Sequence, residues 1–396
     1  MTKRMSSTRS EDLGQITARK KNLPKAVGDL SVEIKEVSRR IYARPELGSE
    51  EREASKLLVS KLRDHGFDVE DNFMGMDTAF LGRFGNGDPK VAIFAEYDAL
   101  PIGHGCGHNI MAAWAFGVAA SLAKAGLPKG TLFVAGSPAE EGYGKYAQSK
   151  TVIGPRLKEM GTEAVFSMHP MGEWAVGWRM LASTRLSFIF HGRDTHAALS
   201  PHEGLNALDA AVLLYTEAKM MRNLVRRDKD VIVSAIFHDG GTLPNVIPGK
   251  AELWVDVRAN DSQYMLELEE RVKKIAKGAA EMTGCSVEWS RLGKSMDSFK
   301  RHSKLEELYY KHAQQYLEKV GPPDVSWSKL AVASSDICNV SQIIPTVHLS
   351  VKIGREALPG HSEEWRACAG TKEAEEALLT SVAIAHDSII DYLSSG

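Results

Sequence analysis

The sequence predicts an α/β protein: a domain with a mostly parallel sheet, into which a smaller ferredoxin-like α+β domain is inserted. Three observations carry this. Apolar runs that end in polar loops recur, with a helical segment between them, as a parallel sheet requires. In mid-chain the order becomes β-α-β-β-α-β over 183–292, a complete split βαβ unit. Around that unit, 1–182 and 293–396 read as one domain interrupted by another.

Taken in order, SVEIKEVSRRIYA at 31–43 is an amphipathic helix that stops before Pro45. A second helix is expected to start after Ser49 as N-cap, with Glu50, Glu51 and Glu53 in its first turn, and to end near Gly66. FDVED and TAFLGRF are strands, and KVAIFAEYDALP is a buried strand feeding a loop. NIMAAWAFGVAASLAKAG, rich in alanine, is a helix packed on a sheet. TLFVAGSPAEEG and AVFSMHP repeat the strand-then-loop form. The pattern then changes: TRLSFIFHG alternates as a strand with one face in water, and LNALDAAVLLYTEAKMMRNLV is a long helix. VIVSAIFHDG and KAELWVDVRA are strands, YMLELEERVKKIAKGAAEMTG is a helix and SVEWS a last short strand.

Composition narrows the function. The chain has 396 residues, 43% hydrophobic and 25% charged, with a net charge of −2. No basic excess is available for nucleic acid. Nor does a run of about 18 apolar residues exist to span a membrane. Lys and Arg are frequent in 1–28 but no apolar stretch follows, so this segment is expected to be a solvated tail rather than a secretory signal. Cys106, Cys285, Cys338 and Cys368 are too few and scattered for a disulfide framework, which points to a reducing, cytoplasmic location.

Polar residues collect where the strands end, and open α/β sheets bind ligands beyond their carboxyl ends. Three strand ends offer Asp98, Glu140 with Glu141, and His169. After the first comes GHGCGHN, which places Cys106 and His108 two residues apart among glycines. Cysteine, histidine and carboxylate are the donors that zinc, manganese or cobalt use. Each residue alone has a bland explanation: a buried Cys is a small hydrophobe, and an acidic pair caps a helix. Several at consecutive strand ends are not what a bland sheet produces. The adjacent glutamates suggest divided labour, one ligating a metal and the other taking a proton from water.

The segments EYDALP, GHGCGHN, GSPAEEG, SMHP, HGRDTHAALSP, GGTLPNVIP and PGHSEEW occur in the order found in the aminoacylase/glutamate-carboxypeptidase metallopeptidase family. The chain resembles that family over nearly everything past residue 30. The Cys-Gly-His form resembles its amidohydrolase branch, which includes p-aminobenzoyl-glutamate hydrolase and dipeptidases acting on basic residues. The resemblance implies a zinc-exopeptidase-like catalytic domain with an inserted lid and dimerisation domain. It also implies two divalent ions held by Cys106, His108, Glu141, His169 and His361, with the Cys106 thiolate bridging. Glu140 is implied as general base, Asp98 as the residue that orients a ligand, and His196 as an oxyanion-stabilising group from the inserted domain. Asn245, Arg258 and the Ser334–Ser335–Asp336 loop are implied to contact substrate, although Arg258 equally suits a structural salt bridge. Where other branches carry a ligating histidine, this chain has Glu96, which leaves a contact between Glu96 and the cluster open.

The expected reaction is hydrolysis of an amide bond in a small N-acyl amino acid or dipeptide, in a homodimer or higher homo-oligomer joined through the lid. Three alternatives stand beside it. One is hydrolytic deamination of a nitroanthranilate-type aromatic amine, for which Trp114, Trp174, Trp178 and Trp327 offer aromatic lining. The second is a non-enzymatic metal-binding protein, disfavoured by the spare base at Glu140. The third, a peptidase that processes proteins, is disfavoured by a closing lid.

Overall fold

The computed structural model describes residues 20–177, 180–321, 333–355, 358 and 360–395. The chain divides into two compact units, one formed by Met1–Trp178, Lys300–Ser328 and Ile343–Gly396, the other by Arg179–Phe299 and Lys329–Gln342. The strands run, in chain order, β1 (Asp68–Asp71), β2 (Phe80–Asn86), β3 (Lys90–Ala95), β4 (Gly130–Gly136), β5 (Ala164–Met171) and β6 (Ala175–Val176). There follow β7 (Ala182–His191), β8 (Thr195–His196), β9 (Ile232–Asp239), β10 (Val246–Ile247), β11 (Lys250–Ala259), β12 (Ser286–Arg291) and β13 (Thr346–Lys352).

The first unit holds a seven-stranded sheet ordered β1-β2-β4-β3-β5-β13-β6. Its centre, β4-β3-β5-β13, is parallel, and both margins are antiparallel. The central strands are apolar without alternation because both of their faces are covered. The helix His108–Ala125 is buried along almost its whole length, and its alanines allow close packing on the sheet and on neighbouring helices. Trp114 lies at its centre without solvent exposure and donates from Nε1 to the Ser381 carbonyl. Ser31–Tyr42, Ser303–Tyr316 and Lys372–Ser395 complete the helical packing.

Two local expectations need correction here. Residues 20–28 are not a frayed tail: Lys25–Asp29 is helical, the Lys20 amide donates to the Tyr316 carbonyl, and Lys21 pairs with Asp387 at 2.8 Å. The second helix spans Arg52–Asp64 and is not capped by Ser49, whose Oγ is taken up by the Tyr146 amide. The Glu46 carboxylate instead accepts the Glu53 and Ala54 amides at the helix start.

The second unit is a four-stranded antiparallel sheet, β12-β7-β11-β9, covered by the helices Ala207–Met220 and Ser262–Thr283. Alternate residues of β11 (Ala251, Leu253, Val255, Val257 and Ala259) are buried, as one covered face demands. Asn206 and Asp261 cap the two helices through their side chains. Residues 293–299 and 333–342 group with this unit rather than with the first, because their hydrogen bonds lie there. Met296 and Ser183 exchange both backbone bonds at 2.9 Å, and the Asn339 amide donates to the Ser295 carbonyl and to Asp297. Among the described residues no helix is long and apolar enough to cross a membrane.

Candidate metal centre

Register explains why residues distant in sequence meet. Ile93 of β3 pairs with Phe166 of β5, so Glu96 and His169, each three residues further on, reach the same level of the sheet edge. Ala95 pairs with Gly136, which brings the loop after β4, with Glu140 and Glu141, to that edge as well. From the loop after β3 comes Cys106, followed by Gly107 at φ +85° and His108, the first residue of its helix. A Cβ on Gly107 would sit 2.9 Å from Pro170 Cγ, so only glycine lets the loop turn this close to β5.

Asp98 ties two of these segments together. Its Oδ1 lies 2.8 Å from His108 Nδ1, and its Oδ2 accepts the Glu141 amide at 2.9 Å. His108 therefore carries its proton on Nδ1 and turns the Nε2 lone pair inward. His169 does the same, with Nδ1 2.8 Å from the Pro170 carbonyl and Nε2 3.3 Å from Cys106 Sγ. His361 enters from the returning chain at φ +60°, its amide bonded to the Gly105 carbonyl.

The donor atoms form three overlapping groups, each within 4.8 Å: Cys106, His108 and His169; Cys106, Glu141 and His361; Glu96, His108 and Glu140. Cys106 belongs to the first two. His108 Nε2 lies 3.6 Å from Glu96 Oε2 and 3.9 Å from both Glu140 Oε2 and Glu141 Oε1, and His361 Nε2 is 3.5 Å from Glu141 Oε2. Donors bound to one tetrahedral ion at about 2.1 Å stand about 3.3 Å apart, so this spacing suits a shared cation. His108 Nε2 and Glu141 Oε1 are moreover buried without a hydrogen-bond partner. Two inward lone pairs that no proton satisfies are what a cation would satisfy, and the residues present fit a divalent metal. Charge agrees. Burial and the neighbouring Glu141 push the Cys106 thiol well up, and a cation reverses that balance toward thiolate. Burial, reinforced by His108, lowers His169 to about 4, so it is neutral and able to ligate at neutral pH.

All five expected ligands and Glu140 thus lie in one cluster, with Asp98 behind it. Glu96 joins the rim, its Oε1 3.1 Å from Lys150 Nζ, a lysine buried completely. Sequence reading passed over Lys150 and Glu51. Glu51 is fully buried, its carboxyl pushed up to about 7 by burial, and it accepts the Ala139 amide at 2.8 Å. No local motif marks either residue; PELGSEE reads as a helix start. His104 is structural, its Nε2 3.0 Å from the Ile41 carbonyl, and burial lowers it to about 4.

The remaining expected residues lie in the second unit. β8 and β10 pair His196 with Val246, and the Ala197 amide donates to the Asn245 carbonyl, so His196 and Asn245 are neighbours. His196 Nδ1 accepts the Ala198 amide at 3.2 Å, which leaves Nε2 as the proton-bearing nitrogen. Arg258 donates from Nε to Asp256 at 2.7 Å. Ser335 stands before the helix Ile337–Ile343, its carbonyl accepting the Cys338 amide. Trp114 and Trp174 belong to the hydrophobic core, and Trp178 and Trp327 lie outside the described residues. The four cysteines are free.

Comparison with known proteins agrees with this geometry. Residues 176–283 match the peptidase dimerisation domain. The chain is 30% identical over 377 residues to a Xaa-Arg dipeptidase of Mus musculus, covering 90% of this chain and 84% of the relative. It is 32% identical over 321 residues to a p-aminobenzoyl-glutamate hydrolase of Escherichia coli, covering 75% of this chain and 64% of that one. A dinuclear metal binding peptidase from the M20 family of Bacillus subtilis has the same fold, with a TM-score of 0.71 at 20% identity, covering 93% of this chain and all of that one. The chain belongs to the M20 peptidase family and is a metal-dependent hydrolase acting on C–N bonds.

Proposed function

We propose that the chain hydrolyses the amide bond of a small N-acyl amino acid or dipeptide carrying a free carboxylate. Cys106, His108 and His169 would hold one divalent ion and Cys106, Glu141 and His361 a second, with Cys106 shared. The observation that carries this is the pair of donor groups meeting at a single thiol, beside Glu140, a carboxylate that neither group uses. Zinc, manganese and cobalt all accept this donor set. When bound, such ions supply Lewis acidity, which polarises a carbonyl and brings the pKa of water toward neutrality.

The chain's own residues do the rest. Glu140 accepts the proton of the attacking water at its carboxylate and returns it to the leaving amine. Asp98 keeps His108 in the ligating tautomer. His196, with its proton on Nε2, is suited to stabilise the oxyanion. Asn245 and Ser335 are proposed substrate contacts, and Arg258 a fork for the substrate carboxylate. The relatives' names, a Xaa-Arg dipeptidase and a p-aminobenzoyl-glutamate hydrolase, support both classes of substrate. The dimerisation domain supports a homodimer, and the free cysteines support a cytoplasmic site.

Glu140→Ala tests the assignment. It should keep the fold and the metal content while abolishing turnover of p-aminobenzoyl-glutamate and basic dipeptides. Activity retained in that variant overturns the mechanism.

A further inference from the structure

We infer that Glu51 is a positioning residue for the metal centre, holding Ala139 in a left-handed backbone conformation and so fixing how Glu140 and Glu141 leave the end of β4. The inference rests on the proposed roles of those two glutamates.

Ala139 has φ +57° and no solvent exposure. An L-residue other than glycine or asparagine is disfavoured there, because its Cβ crowds the following carbonyl. Something must hold it, and Glu51 is placed to do so. Its Oε1 accepts the Ala139 amide at 2.8 Å, and its Oε2 accepts the Thr78 hydroxyl at 3.0 Å. Thr78 is anchored in turn, its carbonyl accepting the Tyr97 hydroxyl. Across the same contact, a Cβ on Gly48 would stand 2.6 Å from the Tyr143 carbonyl oxygen and 3.0 Å from Ala139 Cα. Ser49 Oγ accepts the Tyr146 amide at 2.9 Å. Loop 44–51 is therefore built against the turn that carries the two glutamates.

The consequence for the site is geometric. Glu51 pins the amide before Glu140, and Asp98 pins the amide of Glu141 at 2.9 Å. Glu140 thus sits between two amides, each fixed by a buried carboxylate. A buried carboxylate bonded to an amide and a hydroxyl, rather than to a cation, is costly to keep. Packing alone does not call for one. Acceptor geometry does, and it is the oxygen rather than the charge that Ala139 needs.

That distinction gives the test. Cobalt(II) is titrated into the metal-free full-length protein and its variants and followed by absorption, with circular dichroism reporting folding. Glu51→Ala and the milder Glu51→Asp, whose shorter side chain withdraws the acceptor, should weaken cobalt binding by about 10- to 100-fold. Glu51→Gln keeps an acceptor oxygen and should stay within about threefold of the parent. In the Glu51→Ala background, Ala139→Gly removes the penalty of positive φ and should restore most of the lost affinity. Parent-like cobalt binding in both Glu51→Ala and Glu51→Asp overturns the inference. So does a folded Glu51→Ala/Ala139→Gly protein that binds no better than Glu51→Ala. Cys106→Ser and Glu141→Gln separate the two levels: if they bind cobalt like the parent, the metal assignment itself fails. If they lose binding while the Glu51 variants keep it, only the role of Glu51 fails.

Discussion

Asp98→Asn is the perturbation that reads the centre most quantitatively. The carboxylate accepts two bonds, from His108 Nδ1 at 2.8 Å and from the Glu141 amide at 2.9 Å, and it is buried to 1% exposure. Asparagine keeps the shape but offers one oxygen and one NH2. A bond to a charged acceptor is worth about 1.5–3 kcal/mol against about 0.5–1.5 for a neutral one, so the surviving bond weakens by about 1 kcal/mol. At the other, NH2 faces a donor, and a buried donor left unsatisfied costs about 1–3 kcal/mol. The metal-free protein should therefore lose about 2–4 kcal/mol of unfolding free energy in a denaturant titration. His108 is then free to rotate or change tautomer, and loss of such a supporting partner lowers metal affinity by about 10- to 100-fold, about 1.4–2.7 kcal/mol. Zinc competition against a chromophoric chelator measures the second quantity. A variant that holds zinc within threefold of the parent and unfolds at the same denaturant concentration refutes the claim that Asp98 orients the ligands.

Other outcomes follow from burial and charge. His104 is lowered to about 4 by burial, against about 6.5 unfolded, so the unfolded chain binds the extra proton between these values. As pH falls from 7.5 to 4 the parent loses roughly 3 kcal/mol on this account, and the stability deficit of His104→Asn should shrink by that amount in paired unfolding curves. A deficit that grows on acidification has the wrong sign. Trp114→Ala, in the fully buried middle of its helix, should cost about 3–5 kcal/mol in urea unfolding, and a cost below about 1 would contradict its place in the core. Lys150→Met removes the 3.1 Å partner of buried Glu96 and should cost about 3–5 kcal/mol at pH 7, read by the same unfolding experiment.

Much of the centre was legible because it is local. Cys106, Gly107 and His108 are contiguous, Glu140 and Glu141 are adjacent, and both groups follow apolar strands. Parallel neighbours end at one edge, so strand-end position alone predicts that they meet. Glu51 escaped because its partner, Ala139, is 88 residues away and offers only an amide, which no side-chain pattern reports. Lys150 escaped for a similar reason: a lysine beside a glycine-rich loop looks solvated until the loop folds over it. The Ser49 cap failed because tertiary contact with Tyr146 claimed the hydroxyl that helix capping would use. At the boundary between units, residues 293–299 carry no periodic signal, and only their backbone pairing with Ser183 assigns them.

The shared thiol is the centre of the account, and cobalt(II) addition to the metal-free protein tests it directly. The account predicts a thiolate-to-cobalt charge-transfer band that rises until two ions are bound per chain and is absent in Cys106→Ala. A protein that binds cobalt without that band, or a Cys106→Ala variant that keeps it, would contradict the assignment.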